Sequence, residues 1–213
     1  MLKEFLDERK RMVERQLHVR GINDPRVLAA FESIPRHLFV PEESRMWAYE
    51  DCPHSIGFGQ TISQPYIVAY MTQSLGLTGM EHVLEVGTGS GYQAAILSCL
   101  VGEVHTIELI PALADRAAHT LADLGIKNVF IHIGDGSQGW AESAPYDAII
   151  VTAAAPRVPK SLLDQLADGG RMILPVGPSG YQELELWRRA GDSFPHETLL
   201  PVAFVPLRGK EGV

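Results

Sequence analysis

Disulfide bonds, membrane spans and secretion signals have little basis in this sequence. Its 213 residues include two cysteines, Cys52 and Cys99, which are too few for a disulfide framework and predict reduced thiols. No stretch reaches the ~20 consecutive apolar residues that a membrane-spanning helix requires. The N-terminal stretch alternates charged and apolar side chains and lacks the continuous apolar region of a signal peptide. We therefore expect a cytoplasmic protein that has no membrane partner.

Positive charge is also scarce. The chain carries 18 Lys and Arg residues against 26 Asp and Glu residues, which gives a formal net charge of -8. Because an acidic surface repels phosphate backbones at long range, this balance argues against a nucleic-acid partner. The eight histidines are scattered along the chain without the Cys/His spacing of a zinc site, so the sequence predicts no metal centre.

Hydrophobic residues, by contrast, are plentiful and periodic in the first third of the chain. They make up 46% of all residues while charged residues make up 21%, a balance typical of a folded globular protein. Apolar residues at helical spacing predict helices over residues 2–19 and 64–75. Asp24 before Pro25 predicts the capped start of another helix, which continues to about residue 33. Residues 45–64 are rich in Pro and Gly and predict a loop.

The pattern changes after this region, where short β-branched runs alternate with helical segments. The predicted strands are residues 82–86, 103–108, 129–133, 147–152, 171–176, 183–188 and 200–205, and the predicted helices are residues 92–100 and 112–124. Such alternation is typical of βαβ units with a parallel sheet. No helix of useful length separates the last two strands, so they are expected to pair antiparallel at an edge. The sequence predicts an α/β fold, a doubly wound and mostly parallel sheet with a helical N-terminal extension.

A glycine loop follows the first of these strands. Gly87, Gly89 and Gly91 lie between a β-branched run and a predicted helix. A strand, a tight glycine turn and a helix N-terminus form a nucleotide-binding corner in doubly wound sheets. Gly89, Gly91 and Ala94 also satisfy the dinucleotide pattern G-x-G-x-x-G/A, so a nicotinamide-dependent oxidoreductase is an alternative.

Acidic residues lie at the ends of three consecutive predicted strands. Glu85 ends the first, Glu108 the second, and Asp135-Gly136 follows the third. A carboxylate at Glu85 suits a cationic ligand such as S-adenosylmethionine and would repel a pyrophosphate. Glu108 can accept hydrogen bonds from ribose hydroxyls, and Asp135 can accept from an adenine amino group while Gly136 leaves room for the ring. The ordered set therefore favours S-adenosylmethionine over a dinucleotide.

Several further motifs narrow this interpretation to one family. The segment GQTISQP at residues 59–65 resembles the signature of the protein-L-isoaspartate O-methyltransferases, which are class I S-adenosylmethionine-dependent methyltransferases. Other segments resemble that family in order and spacing, namely SIGF at residues 55–58, PYDAI at 145–149, AAAP at 153–156, RMILPVG at 171–177 and FVPL at 204–207. The resemblance covers nearly the whole chain. It implies a Rossmann-like methyltransferase fold in which residues 1–78 form the N-terminal extension and active-site loop and residues 79–213 the cofactor-binding core of one compact unit.

The same resemblance implies an activity and a set of site residues. The expected reaction is methyl transfer from S-adenosylmethionine to the free carboxylate of isoaspartyl, and also D-aspartyl, residues in age-damaged proteins, carried out by a monomer. Ser63 matches the active-site serine. The matching cofactor contacts are Ser55, Ile56, Gly57, Phe58, Glu85, Glu108, Leu109, Asp135 and Gly136, beside the loop glycines Gly87, Gly89 and Gly91.

Rival interpretations remain open from the residues alone. Ser63 could instead cap the helix that follows it. The glycine loop and acids would look the same in a methyltransferase for a small carboxylate or a nucleic-acid base, or in a module that binds without catalysis. The small residues Thr152 to Pro156 after the fourth core strand offer no stacking surface for a flipped base, which disfavours a base methylase. No Cys/His catalytic arrangement is evident, and Cys52 and His54 have no assigned role.

Overall fold

A computed structural model describes residues 5–213 as one α/β architecture built on a seven-stranded sheet. The helices are α1 Leu6–Met12, α2 Pro25–Ser33, α3 Pro65–Ser74, α4 Tyr92–Ser98, α5 Pro111–Asp123 and α6 Lys160–Asp164. The strands are β1 His54–Gly57, β2 Gln60–Ile62, β3 His82–Val86, β4 Glu103–Glu108, β5 Val129–Ile133, β6 Tyr146–Val151, β7 Leu166–Val176, β8 Gln182–Arg188 and β9 His196–Val202. The fold class predicted from the sequence is confirmed.

The sheet has the order β5-β4-β3-β6-β7-β8-β9. Its first five members in that order run parallel, while β8 and β9 join antiparallel at the end, as the sequence predicted. The chain moves outward from β3 to β5 and then returns to place β6 on the other side of β3. Such a switch opens a crevice at the carboxyl ends of the strands, where doubly wound sheets bind ligands.

Alternating residues of the strands build two separate cores, one on each face of the sheet. Val83, Val104 and Ile150 pack on one face with the N-terminal helices and with α4 and α5. Leu84 and Ile149 pack on the opposite face, together with α6 and the segment around Leu207. Because both faces are covered, the inner strands β3, β4 and β6 consist almost entirely of buried residues, whereas the edge strand β5 is partly exposed.

The N-terminal region agrees with the predicted helices in outline and differs in detail. Position 2, where the first helix was predicted to begin, lies outside the described residues. From Leu6 the helix continues through a π-helical stretch, Val13–Leu17, and a 3-10 turn, His18–Arg20, before Gly21 ends it. Asp24 caps α2 as predicted, accepting a hydrogen bond from the Arg26 backbone N–H. Among residues 5–213, no helix is long and apolar enough to cross a membrane.

Two predictions about irregular segments were wrong. Residues 45–64 are not simply loop, because β1 and β2 form an antiparallel hairpin within them. The last strand is His196–Val202, whereas the sequence predicted residues 200–205. The first residues of β9 are exposed and give no apolar pattern. The apolar run that led to the predicted strand extends past the end of β9 into the segment that pairs with Ala154. The short helix α6 was not predicted at all.

Candidate active site

The glycine turn after β3 depends on Gly87 for its shape. This residue has φ +99°, and a Cβ atom there would lie 2.5 Å from the Thr152 hydroxyl oxygen. The Thr152 hydroxyl donates a hydrogen bond to the Gly87 carbonyl oxygen at 2.7 Å, which joins the end of β6 to the turn. Only glycine accommodates both the backbone conformation and this close approach.

A strand-end crevice, formed by two adjoining cavities, lies above this turn. The Glu108 cavity holds about 600 Å³, partly open to solvent, and the Ser63 cavity about 410 Å³; they share Thr61, Gly87, Gly89 and Thr152. Of the residues predicted for the site, the crevice brings together Ser63, Glu85, Gly87, Gly89, Glu108, Leu109 and Gly136.

Glu85 lines the Ser63 cavity from beneath and is completely buried. One carboxyl oxygen accepts a hydrogen bond from the Thr106 hydroxyl at 2.6 Å, and the other makes no hydrogen bond to the described residues. Burial raises the pKa of Glu85 to about 8, with a further contribution from the nearby Glu108. Without a ligand the group is therefore mostly protonated at neutral pH, and a cation beside it would favour its ionised form.

Glu108 reaches back across the turn from the end of β4. Its two carboxyl oxygens accept one backbone hydrogen bond each, from Gly89 N–H at 2.8 Å and from Ile110 N–H at 2.9 Å. Each oxygen keeps a further lone pair, and the side chain lines the Glu108 cavity. The carboxylate thus holds the glycine turn and can accept hydroxyl donors from a ligand at the same time.

The Asp135 carboxylate is already hydrogen-bonded to other groups of the protein, which the sequence did not reveal. Its carboxylate accepts from the Ser137 backbone and hydroxyl, from the Gln138 side chain, and from the backbone N–H of Lys210 near the C-terminus. Burial alone would raise the pKa of Asp135, but these hydrogen bonds outweigh it and lower the pKa. The neighbouring Gly136 borders the cavity, so Asp135 shapes this wall from behind.

Ser63 lies where the Ser63 cavity meets a third depression, the Phe204 groove. The groove is lined by Pro53, Thr61, Ser63, Gln64, Ile67, Thr152 and residues 201–205. Ser63 does not cap α3, because Gln64 occupies the N-cap position and α3 has no side-chain cap. Its carbonyl oxygen accepts a hydrogen bond at 2.7 Å from Arg36, whose side chain is fully buried. The helix-cap alternative is therefore wrong.

The hairpin residues predicted to contact the cofactor lie beside the crevice. Ile56 is buried, and its carbonyl oxygen accepts a hydrogen bond from Arg116 of α5 at 2.6 Å. Ser55 and Phe58 are exposed, and Phe58 has a left-handed backbone. Within the described chain, Gln60, Thr61 and Ile62 are the hairpin residues that line the crevice, so contacts from residues 55–58 stay a prediction.

Cys52 and His54 approach each other close to the Ser63 segment. Their Sγ and Nε2 atoms are 3.7 Å apart. Burial raises the pKa of the Cys52 thiol, as do Glu50 and Asp51, while burial and the nearby Arg36 lower the pKa of His54. Both groups are therefore neutral at physiological pH, which is the opposite of a thiolate–imidazolium nucleophile.

Comparison with known proteins identifies the family of this chain. The family model of protein-L-isoaspartate(D-aspartate) O-methyltransferases matches residues 7–212. The chain belongs to the protein-L-isoaspartate(D-aspartate) O-methyltransferase family. A relative named protein-L-isoaspartate O-methyltransferase 1, from Rhodopseudomonas palustris (strain HaA2), is 54% identical over 210 residues, which cover 98% of this chain and 86% of the relative.

Solved structures agree with this assignment. A protein-L-isoaspartate O-methyltransferase structure superposes with a TM-score of 0.86 at 31% identity, covering 96% of this chain and 67% of the other. A second, from Plasmodium falciparum in complex with S-adenosyl-L-homocysteine, gives 0.81 at 25% identity over 94% of this chain and 98% of the other. Membership of a methyltransferase family decides against the oxidoreductase alternative.

Several residues around the crevice were missed from the sequence. Thr61 and Thr152 line both cavities and the Phe204 groove, and residues 205–208 form a wall of the Glu108 cavity. Spacing along the chain gives no signal for these contacts, since tertiary packing brings them together. The histidines, too, are not all scattered in space, because His82 and His105 meet Glu103 at the far edge of the sheet.

Proposed function

We propose that this protein transfers a methyl group from S-adenosylmethionine to the free α-carboxylate of L-isoaspartyl residues, and of D-aspartyl residues, in age-damaged proteins and peptides. Family membership supports the reaction class. The observation that carries the proposal is the position of Ser63, which borders both the strand-end crevice and the open Phe204 groove. One hydroxyl can therefore face a methyl donor in the crevice and an acceptor in the groove.

The residues of the crevice fit this cofactor. The buried Glu85 oxygen that lacks a hydrogen bond suits the cationic amino-acid end, and the free lone pairs of Glu108 suit the ribose hydroxyls. At Gly136 a Cβ atom would lie 2.7 Å from a Val86 methyl carbon, so glycine is required where this backbone borders the cavity. We assign further contacts to Ser55, Ile56, Gly57, Phe58 and Leu109, and to Asp135 an indirect role, because its carboxylate already accepts four hydrogen bonds from protein groups and supports the wall beside Gly136. When bound, the cofactor supplies an electrophilic methyl group on a positively charged sulfur.

The acceptor needs no general base. The free carboxyl of isoaspartate has a pKa near the ~3.5 of an α-carboxyl group, so it is ionised at neutral pH and has no proton to lose. This agrees with the neutral state of Cys52 and His54. The contribution of the protein is alignment, since holding reacting groups in line can supply ~7–11 kcal/mol of the barrier.

Ser63 is the proposed catalytic residue. Its hydroxyl donates a hydrogen bond that orients the acceptor carboxylate, and a neutral donor leaves that oxygen more nucleophilic than an ion pair would. The resulting methyl ester has methoxide as its leaving group, which departs more readily than the oxide of a carboxylate. The next backbone nitrogen attacks the ester carbonyl carbon and methanol leaves, so the succinimide re-forms, and water opens part of it to normal aspartate.

The Phe204 groove is the proposed place for the substrate chain. The Phe204 N–H and carbonyl oxygen are already bonded to the Gln182 side chain, and the Val205 carbonyl accepts from Ala154. Recognition therefore rests on the shape of the groove more than on main-chain pairing with residues 204–205. Hydrogen exchange should slow in residues 61–67 and 201–205 when an isoaspartyl peptide is added, and unchanged exchange in both segments would contradict this placement.

A methyl-transfer assay on paired peptides tests the function. The peptides differ only in carrying isoaspartate or aspartate at one position, and methylation of the isoaspartyl member alone is expected. Ser63→Ala should lower kcat by about a hundredfold while S-adenosylhomocysteine binds as before. Ser193→Ala, in the exposed turn before β9, is the matched control. Equal methylation of both peptides, or full turnover by Ser63→Ala, would overturn the proposal.

We propose in addition that the enzyme acts as a cytoplasmic monomer on protein substrates and not on nucleic acids. The acidic net charge of -8 supports the last point. Sedimentation at working concentration gives the oligomeric state, and a methylation assay on total RNA and DNA should show no incorporation.

A further inference from the structure

Three side chains with metal-binding atoms converge at the amino ends of β3 and β4. His82 opens β3 and is the register partner of Glu103, which opens β4. His105 is two residues further along β4 and therefore projects from the same face as Glu103. The cluster lies at the opposite edge of the sheet from the strand-end crevice, so the proposed methyl transfer does not use it.

The ligand atoms of this cluster point at one another. Glu103 Oε1 is 2.6 Å from His105 Nε2 and 3.7 Å from His82 Nε2, and the donor atoms of all three residues lie within 4.8 Å of one another. Ligand atoms around a tetrahedral zinc ion with bonds of about 2.0 Å are separated by about 3.3 Å. Small rotations of the side chains would bring the three atoms to that separation.

The environment of His82 presents a lone pair to the cluster. Its Nδ1 is 3.2 Å from the Pro145 carbonyl oxygen, which can only accept, so Nδ1 carries the proton. In the neutral ring Nε2 is then the unprotonated atom. This atom is buried and makes no hydrogen bond to any described residue, although it faces the Glu103 carboxylate. A lone pair that faces a carboxylate is repelled by it, and a cation bound between the two groups would remove this repulsion.

His105 is arranged differently. Its Nε2 is 2.6 Å from Glu103 Oε1, which can only accept, so without a metal ion this nitrogen carries the proton. A cation that binds Nε2 would displace that proton, and Nδ1 would then carry the ring proton and donate it to His132 Nε2, 2.8 Å away, whose ring is held by stacking on Trp140. Histidines that bind metals characteristically hold the other ring nitrogen in such a hydrogen bond, which fixes the tautomer and the orientation of the ring.

We propose that His82, Glu103 and His105 form a binding site for a divalent transition-metal cation, with Zn²⁺ as the preferred ion. Two imidazole nitrogens and a carboxylate oxygen are a ligand set that zinc accepts, with water in the fourth position. The side chain of Glu103 is 47% exposed, so an ion and its water can enter from solvent. The ion would tie the start of β3 to the start of β4 and stabilise the sheet.

Titration calorimetry of the full chain, without an affinity tag and after chelation, tests the site with ZnCl₂. One saturable equivalent is expected, and Co²⁺ in its place should show the visible absorption of a tetrahedral complex. Glu103→Gln and His82→Gln should each weaken Zn²⁺ binding by at least about tenfold. His119→Gln, an exposed histidine on α5, is the matched control and should bind as the parent does.

The melting temperature in the presence of chelator establishes that each variant is folded. Because Glu103 is exposed, Glu103→Gln should disturb the fold less than His82→Gln does. Absence of saturable binding would overturn the proposal. So would equal affinity in Glu103→Gln and His119→Gln. Methyl transfer is measured separately, so failure of the metal site leaves the proposed function unaffected.

Discussion

Arg36 holds the loop that carries Ser63: its Nη2 donates a hydrogen bond to the Ser63 carbonyl oxygen at 2.7 Å. Its Nε donates to the Ala48 carbonyl oxygen at 2.8 Å, and the guanidinium lies 4.8 Å from the ring centre of Tyr92. The side chain is fully buried. A planar group with fixed donors connects two loops at once, which a flexible ammonium does less well.

Replacing Arg36 by Met should therefore loosen the Ser63 segment. We expect kcat for the isoaspartyl peptide to fall by about tenfold or more, because small displacements of a positioning group are costly. The affinity for S-adenosylhomocysteine should change much less, since Arg36 does not line the crevice. Steady-state kinetics and calorimetry measure the two effects.

The control for Arg36 is Arg188→Met on the exposed side of β8, which removes the same charge far from the loop. Arg36→Lys keeps one donor group in place of the two that now reach Ala48 and Ser63. Its kcat should therefore lie between that of the parent and that of Arg36→Met. A loss of cofactor affinity as large as the loss of kcat would contradict the positioning role.

Glu85 should make stability depend on pH. Its pKa in the folded protein is about 8, above that of an unfolded glutamate. A carboxyl group whose pKa rises on folding makes its full contribution to stability when the pH is below its pKa in the unfolded chain. This contribution is lost as the pH rises through the folded pKa of about 8. Glu85→Gln has no such loss, so it should match the parent near pH 5 and exceed it by a few kcal/mol, on the order of two to four, at pH 8.5. Urea denaturation at both pH values measures this.

Glu183→Gln, at an exposed position on β8, is the comparison for Glu85, because it makes the same substitution outside the buried site. A constant difference between Glu85→Gln and the parent from pH 5 to 8.5 would mean that Glu85 titrates normally. In that case Glu85 would already be ionised at neutral pH, and a cationic ligand would bind to a carboxylate that is charged before the ligand arrives.

Glu108→Gln should disturb the glycine turn. An amide has one acceptor oxygen, so it cannot receive both the Gly89 and the Ile110 N–H groups that the two carboxylate oxygens now receive. We expect affinity for S-adenosylhomocysteine to fall by about tenfold or more. Calorimetry measures this, with Glu14→Gln on the exposed side of the N-terminal helix as the control; unchanged affinity would rule out this role for Glu108.

The C-terminal segment should matter for the crevice wall. A Cβ atom at Gly209 would lie 1.9 Å from the Asp135 carboxylate, which the Lys210 N–H also contacts. Gly209→Ala should push residues 205–208 out of place and weaken cofactor binding. Gly191→Ala is an informative control, because Gly191 also has a positive φ but has open space around it. Equal effects of the two substitutions would show that backbone strain, and not the collision, is responsible.

The core strands could be predicted because each is a short β-branched run between turn residues. Residues 82–86, 103–108 and 129–133 are strands at the predicted bounds. The β1–β2 hairpin escaped prediction, since its strands have four and three residues and its exposed face has no regular pattern. Periodicity works where burial on a large sheet imposes it, and this small hairpin lies outside that sheet.

Within the site, residue types could be predicted but not their states. The sequence shows an acid at Glu85, yet its burial, and hence its high pKa, depends on the helices packed above it. Asp135 looked free, but its partner Lys210 is 75 positions away in the chain. The cluster of His82, Glu103 and His105 depends on the register of two strands, which spacing along one chain does not contain.

The junction at Ser63 limits which damage can be repaired. Because Ser63 lies where the strand-end crevice meets the Phe204 groove, a large client protein would have to bring the altered residue to this point on an accessible, extended stretch of its own backbone. A lesion inside a rigid client would wait until that client opened locally. The pace of repair would then be governed by the client's fluctuations as much as by the catalyst.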